Sequence, residues 1–561
     1  MTEVRDQLAP YYFHQRDFSS LAELEDWFEW EIPETFNIAT YVCDRWAAEA
    51  ANRPAIVVDG EGGRAERYSF AEVRKMANQM ANALEAAGIG PGDRVAINGT
   101  QGVESLVANV ATFKIGAVSV PLTVLLGTDG LRYRMQDCGA VAFFIDEAAM
   151  DAFEDIRHDL EDLGLCISYD KTDRDGYVGF ADAIDGRSEA YTTYESQPDE
   201  NAFIIYTSGT TGDPKGVVHA HRHLLGELPQ FLSLMCHRTD SEQVVRTVAE
   251  WSWIMSLPGM VLPALFYGIP VVAAPGGPFD PEREFAMIER FDITQLNLPP
   301  TAVRMMMQID QPEEQYDLAS IQSFTTGGES ADAGIIEWVH ETFENASFLE
   351  GYGTSEIGGL ISDDPAMGID HRIGYFGVPS VGHEVAVLDR ETHEPIEESH
   401  EIGILAVAYE GDPMLFKEYL NLPEKTDAVI QDGWLISDDL VSTDEDGYVK
   451  FHSRADDLII SSGYRIAPTE IEEALLAHDA IQHAGVIGIP HETRGEIPKA
   501  FIELAPAEQP SDALAEELQD FVKDRLAKYE YPRKIEFTEE LPTTTTGKVR
   551  RKSLREREDI E

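Results

Sequence analysis

The sequence predicts an α/β protein: a large N-terminal domain of parallel-sheet α/β units with a small β subdomain, followed by a small α+β C-terminal domain. Three observations carry this. From about 41 to 200, helix-period stretches alternate with short apolar runs, and 200–380 continues in that style. From about 380 to 450 the text changes to short alternating runs separated by turn-rich acidic segments. After about 456, helical patterns flank strands in a final unit. At 561 residues the chain is too long for one ordinary core, so at least two domains are expected.

Taken in order, residues 1–40 are rich in aromatics and acids, as in Phe28-Glu29-Trp30-Glu31, and read as an arm packed on the main body. The body runs over 41–455. Val95-Ala96-Ile97, Ala117-Val118-Ser119-Val120 and Phe143-Phe144-Ile145 read as buried strands. A helical pattern over 103–113 lies between the first two, the crossover that parallel strands need. Residues 251–279 carry no charge and are long enough to span a bilayer. Pro258, Pro263, Pro270, Pro275 and Pro278, with Gly259, Gly268, Gly276 and Gly277, interrupt that stretch, so it reads as a buried helix–turn–strand. Within the 380–450 β subdomain, 385–388 and 404–407 are strands, and Asp444-Glu445-Asp446-Gly447 is a hairpin turn. The C-terminal unit, 456–561, has helices over 468–478 and 511–527 beside strands over 484–489 and 500–504.

The net charge is −59, from 102 acidic and 43 basic side chains spread along the chain. Such a field repels nucleic acid, which is excluded as a partner. A disordered acidic solubiliser would lack the 43% apolar content found here. Of the basic residues, 13 are Lys and 30 are Arg. Self-repulsion of this size opposes a compact state unless salt screens it. The composition therefore predicts adaptation to a salt-rich cytoplasm, as in a halophile. Cys43, Cys138, Cys166 and Cys236 form no CxxC pair and stand at no metal-ligand spacing, so they read as free thiols of a reducing, cytoplasmic compartment. Met1-Thr2-Glu3-Val4-Arg5 opens no charged-then-apolar leader, which predicts no secretory address. No integral membrane segment is expected.

Phe203-Ile204-Ile205-Tyr206 is a short apolar strand that runs into Thr207-Ser208-Gly209-Thr210-Thr211-Gly212-Asp213-Pro214-Lys215-Gly216. Glycine permits the turns that aim successive N–H groups inward. Hydroxyls donate to phosphate oxygens, and Lys215 adds a positive point charge. The segment reads as a cradle for a polyphosphate. It is not a Walker A loop: Pro214 stands where the second Gly belongs, and Gly216 where Ser or Thr belongs.

Residues 206–216 resemble the phosphate loop of the adenylate-forming superfamily, which includes acyl- and aryl-CoA synthetases, luciferases and the adenylation domains of peptide synthetases. The resemblance extends from about residue 30 to the C-terminus. It implies ATP as substrate, Mg²⁺ beside it, and an ATP-binding set beginning with residues 207–215. Thr326-Gly327-Gly328-Glu329-Ser330 and Glu350-Gly351-Tyr352-Gly353-Thr354-Ser355-Glu356 are similar to the two segments that enclose adenine. A flat ring such as Tyr352 can stack on the base. Ser355 and Glu356 fall where the family's Thr-Glu contacts the α-phosphate and Mg²⁺; Ser355 keeps the hydroxyl. Residues 433–440 resemble the segment ending Thr-Gly-Asp-Leu, so Asp439 takes the ribose diol. Asp438 there replaces the family's Gly. Ser453-Arg454-Ala455-Asp456-Asp457 resembles the Gly-Arg-x-Asp-Asp hinge, with Arg454 supporting the nucleotide, Asp456 as pivot and Ser453 in place of Gly. Residues 542–548 resemble the catalytic-lysine motif. Lys548 would bridge the acid's carboxylate and the α-phosphate, where charge builds in the transition state. The family rotates this C-terminal domain between half-reactions, which makes it mobile.

Ser462-Gly463-Tyr464-Arg465 is similar to the acyl-CoA synthetase form, in which Ser-Gly-Tyr lies near CoA and the Arg reaches the nucleotide. Arg494 matches another CoA-side position. Residues 528–537 and 33–39 resemble medium-chain acyl-CoA synthetases. The acid pocket would lie near Trp253, Gly327 and Gly358, with Trp253 limiting its depth. The implied function is an AMP-forming acid–CoA ligase. A carboxylate attacks the α-phosphorus of ATP to give an acyl-adenylate and pyrophosphate, and the CoA thiol then displaces AMP. The implied acid is a short- to medium-chain or branched fatty acid. Benzoate-like acids, whose ligases share these motifs, are the alternative. A non-catalytic nucleotide-binding protein of this fold is disfavoured because Lys215, Asp439 and Lys548 are all present. Homo-oligomerisation is left open.

Overall fold

Short apolar runs joined by helices pair in parallel, because a helical crossover returns the chain to the same end of the sheet. The computed structural model describes residues 8–560 apart from 61–63, 171–173, 208–213, 278, 329–330, 456, 462–463, 479, 492–493, 507, 524, 527–530, 544–548 and 559. One sheet has the strand order Glu418–Tyr419, Lys215–Ala220, Asn201–Thr207, Val118–Leu122, Arg94–Asn98, Ala142–Ile145, Leu165–Ser168, Val178–Gly179. Ala96 lies opposite Val120 on one side and Phe143 on the other, both in parallel register. The expected strands at 95–97, 117–120 and 143–145 all sit here, and Val103–Lys114 is the crossover helix. A second, nine-stranded sheet is parallel through its centre and antiparallel at both edges.

The uncharged stretch forms the interior beneath these sheets. Leu257–Val261 is a π-helical turn, Leu262–Phe266 an α-helix and Val271–Ala273 a strand of the nine-stranded sheet. Leu257, Met260, Leu265 and Phe266 are buried, so no charge is needed along the segment. Tyr11, Phe13 and Phe28 join the same core. Each aromatic so buried stabilises the fold by roughly 2–3 kcal/mol. Tyr267 OH donates to Tyr11 O at 2.6 Å and Trp30 Nε1 donates to Gly382 O at 2.8 Å, which ties the leading segment to the body.

The elements around the candidate site are, in chain order, β1 (Asn201–Thr207), β2 (Lys215–Ala220), α1 (His223–Leu234), β3 (Ser347–Thr354), β4 (Gly358–Ser362), β5 (Glu418–Tyr419), β6 (Trp434–Thr443) and β7 (Val449–Arg454). There follow α2 (Pro468–Leu476), β8 (Ile481–His491), β9 (Gly495–Leu504) and α3 (Arg551–Arg557). β6 and β7 share a small sheet with Val385–Leu388, Gly403–Ala408 and Ile430–Gln431. The turn between β6 and β7 falls at 444–447 as expected: Asp444 Oδ1 accepts from the N–H groups of Asp446 and Tyr448. β5 leaves this region to pair antiparallel with β2, Tyr419 opposite Val217. β8 and β9 form the hairpin of a fourth sheet, with α2 and Asp512–Lys523 beside it. Among the described residues, no helix is long and apolar enough to cross a membrane.

Candidate active site

β1 and β2 form the hairpin that the phosphate motif requires, with Thr207 opposite Lys215. Ser208, Gly209, Thr210, Thr211, Gly212 and Asp213 lie outside the described residues. Pro214 and Lys215 sit at the start of the return strand, where Lys215 Nζ stands 4.2 Å from the ring centroid of Tyr419. Tyr419 OH donates to Glu356 Oε1 at 2.8 Å. One side chain on β5 thus links the phosphate hairpin to the carboxylate expected beside the α-phosphate. The hydroxyls of Thr207 and Thr326 are buried with no hydrogen-bond partner among the described residues. Buried donors of this kind suit a ligand rich in oxygen acceptors.

β3 and β4 form a second hairpin, which carries Glu350, Gly351, Tyr352, Gly353, Thr354, Ser355 and Glu356. Gly353 passes so close that a Cβ would come 2.1 Å from Gly358 O. Gly358 itself has φ +85°, and a Cβ there would meet Glu227 Oε1 at 2.4 Å, so both positions require glycine. Gly351 pairs with Gly327, which brings the two expected adenine segments side by side; Gly328 follows, while Glu329 and Ser330 lie outside the described residues. Tyr352 OH donates to Asp439 Oδ2 at 2.5 Å. Asp439 on β6 faces Arg454 on β7, with Nη1 3.9 Å from Oδ1, and Arg454 Nη2 donates to Asp438 Oδ2 at 3.0 Å. Burial, then the charge of Asp439, pushes the Tyr352 phenol well up, so it remains a donor. Asp438, where the family has Gly, lies within the extended strand β6 and needs no positive φ. Ser453 likewise lies within β7.

Behind this hairpin stands a column of buried polar side chains that sequence reasoning missed. His219 Nε2 donates to Ser355 O at 2.8 Å. Glu227 accepts from Gly359 N at 3.1 Å, and Gln230 Nε2 donates to Ile361 O at 2.8 Å and Tyr352 O at 3.2 Å. Burial, then His223, holds His219 well below the ordinary histidine range, so the ring is neutral with its proton on Nε2. The available signal was polar residues recurring along an otherwise apolar helix, since a buried polar group must find a partner. Glu350 belongs to this support. The residue is 1% exposed, and Oε1 accepts from Ala331 N at 2.8 Å. Asp363 Oδ2 accepts from Glu350 N and from His371 Nδ1, each at 2.9 Å.

Toward the expected acid pocket, Gly327 faces Met255, two residues past the half-buried Trp253. Glu227 and Met414 stand behind Gly358. Of the C-terminal residues, Asp456, Ser462, Gly463 and Lys548 lie outside the described residues. Tyr464 and Arg465 lie in the strand Tyr464–Ile466, and Arg494 lies immediately before β9. Thr469 Oγ1 on α2 donates to His452 O on β7, which joins the last sheet to the body. Among the described residues no group of three or more His, Cys, Asp or Glu could cage a metal. A lone partly exposed carboxylate such as Glu356 fits the way Mg²⁺ is held together with substrate phosphates.

Known proteins similar to this chain give its family. Residues 43–420 match the family described as AMP-binding enzyme, and residues 470–548 match the AMP-binding enzyme C-terminal domain. The mitochondrial acyl-coenzyme A synthetase ACSM4 of Rattus norvegicus is 33% identical over 544 residues, 94% of this chain and 91% of the relative. The acyl-CoA ligase YtcI of Bacillus subtilis (strain 168) is 30% identical over 519 residues, 91% of this chain and 94% of the relative. The crystal structure of the anthranilate CoA ligase AuaEII with anthranoyl-AMP superposes with a TM-score of 0.85 at 28% identity, covering 94% of this chain and 98% of that one. The family match spans the β1–β2 hairpin, the β3–β4 hairpin and Tyr419 on β5, and the chain belongs to the AMP-binding enzyme family.

Proposed function

We propose that this protein is an AMP-forming acid–CoA ligase, which activates a carboxylic acid with ATP and passes the acyl group to CoA. The observation that carries this reading is the chain of contacts from Lys215 through Tyr419 to Glu356, with Tyr352 of the Tyr352–Asp439 pair on the same hairpin as Glu356. In this reading Asp439 accepts the ribose hydroxyls, Tyr352 and residues 327–330 enclose the base, and residues 207–215 wrap the β- and γ-phosphates. Ser355 and Lys548 hold the α-phosphate and the attacking carboxylate in line, and Lys548 meets charge that grows during attack. Mg²⁺, held by Glu356 and the phosphates, would neutralise charge on the departing pyrophosphate. Arg465 reaches the nucleotide, while Ser462, Gly463, Tyr464 and Arg494 guide the CoA thiol. The chain divides into an arm (1–40), a body (41–455, its β subdomain at 380–450) and a C-terminal unit (456–561) that pivots at Asp456 between half-reactions. The enzyme works in a salt-rich cytoplasm.

The acid is a short- to medium-chain or branched aliphatic one, supported by the identity to acyl-coenzyme A synthetases. A benzoate-like acid is the second reading, supported by the superposition on an anthranilate ligase. The test is acid-dependent ATP–pyrophosphate exchange at multimolar KCl with Mg²⁺, across straight, branched and aromatic acids, with CoA-dependent AMP release read in parallel. One acid class should drive both, and Lys548→Ala should slow exchange by about 100-fold or more. If ATP binds but no acid drives exchange, the ligase reading gives way to a nucleotide-binding protein.

A further inference from the structure

Opposite charges a few ångströms apart attract and close into a direct ion pair unless something stands between them. Lys215 opens β2, and Glu356 sits in the turn between β3 and β4. Tyr419 touches both: its ring lies 4.2 Å from Lys215 Nζ, and its OH donates to Glu356 Oε1 at 2.8 Å. The tyrosine cannot swing away, because it is 3% exposed and tied on several sides. Its strand pairs with β2, its N–H donates to Thr426 Oγ1 at 2.9 Å, and its ring packs 4.9 Å from that of Phe416. Phe416 N in turn donates to Glu356 O at 2.9 Å, which fixes the backbone of the carboxylate. Burial, then the charge of Glu356, pushes the phenol well up, so it stays a neutral donor. A neutral ring with a polar tip can satisfy a cation on its face and an anion at its hydroxyl without neutralising either.

We propose that Tyr419 is a positioning residue that holds the Lys215 cation and the Glu356 carboxylate apart, so that each stays available to the incoming nucleotide. The proposal rests on the reading of Lys215 and Glu356 as nucleotide contacts. A direct ion pair between them would have to be broken for every ATP bound. A cation–π contact and a single hydrogen bond yield more readily to phosphate.

The test is ATP affinity by titration calorimetry in EDTA, on the full chain. Tyr419→Phe keeps the ring beside Lys215 and should bind ATP within about two-fold of the parent. Tyr419→Leu removes both contacts and lets the charges collapse together, so affinity should fall about ten-fold. Glu356→Gln removes the anion that would pair with Lys215, so in the Tyr419→Leu background it should raise affinity about ten-fold more than it does in the parent background. A lost packing contact alone would give the same change in both backgrounds. The proposal is overturned if Tyr419→Leu binds ATP like the parent, or if Glu356→Gln shifts affinity equally in both backgrounds. Lys215→Ala separates the proposal from its premise: unchanged ATP affinity in that variant would remove the phosphate-loop assignment itself.

Discussion

At the scale of single residues, Glu350 shows how burial sets protonation. Its carboxyl is pushed up to about 8, chiefly by burial and also by Asp363 and by Glu473 on α2; the Ala331 N–H and His371 pull the other way. The folded state therefore holds a proton that an unfolded chain, with the group near 4.5, releases. The stability so contributed is full below 4.5 and is lost as pH rises toward 8. Glu350→Gln keeps an oxygen for the Ala331 N–H and removes the proton uptake. Chemical denaturation across pH should find the variant equal to the parent near pH 4.5 and more stable near pH 8 by roughly 4 kcal/mol. A difference that does not change with pH would refute this. The residues proposed to hold the nucleotide stand out in the sequence because glycine, hydroxyl and lysine cluster within one decapeptide and the motifs that resemble adenine and ribose segments follow in order. Tyr419, His219 and Gln230 do not, because each acts through a partner at least 63 residues away in the chain, and a single tyrosine or glutamine carries no local pattern.

At the scale of elements, α3 follows directly on the segment that carries Lys548, and its docking rests on charge. Arg551 Nη1 lies 2.8 Å from Asp457 Oδ2 and Nη2 lies 2.5 Å from Glu472 Oε2, while Arg555 Nη2 lies 3.0 Å from Asp457 Oδ1. Glu472 Oε1 also accepts from Val486 N at 2.7 Å, which extends the network into β8. Arg551→Ala leaves two mostly buried carboxylates short of a partner, a loss of about 2–3 kcal/mol, less than for a fully enclosed pair. Hydrogen exchange should speed up first in Arg551–Arg557 and in β8, and acid-dependent exchange of pyrophosphate should fall with it. Uniform acceleration across the whole chain would contradict this local role. Most elements of the sheets could be read from period and propensity. β5 could not: a two-residue strand has no periodicity, and its place is decided by the free edge of β2.

At the scale of the whole molecule, a net charge of −59 dominates. The mutual repulsion of exposed carboxylates reaches about 10 Å at 0.1 M salt and about 3 Å at 1 M. Thermal unfolding followed by circular dichroism should show a midpoint that climbs as KCl rises from dilute to multimolar, with most of the gain below about 1 M if screening is the cause. A flat or falling midpoint would remove salt adaptation from the account. The same charge bears on the late return of β5 to β2. On the ribosome, the β1–β2 hairpin emerges roughly 200 residues before the strand that covers its edge. At 5–20 residues per second that is a wait of about 10–40 s with an open edge, a template for mispairing between neighbouring nascent chains. Chains of one strong sign repel one another during that interval, so the acidity that opposes compaction also keeps half-made copies apart until Tyr419 is delivered.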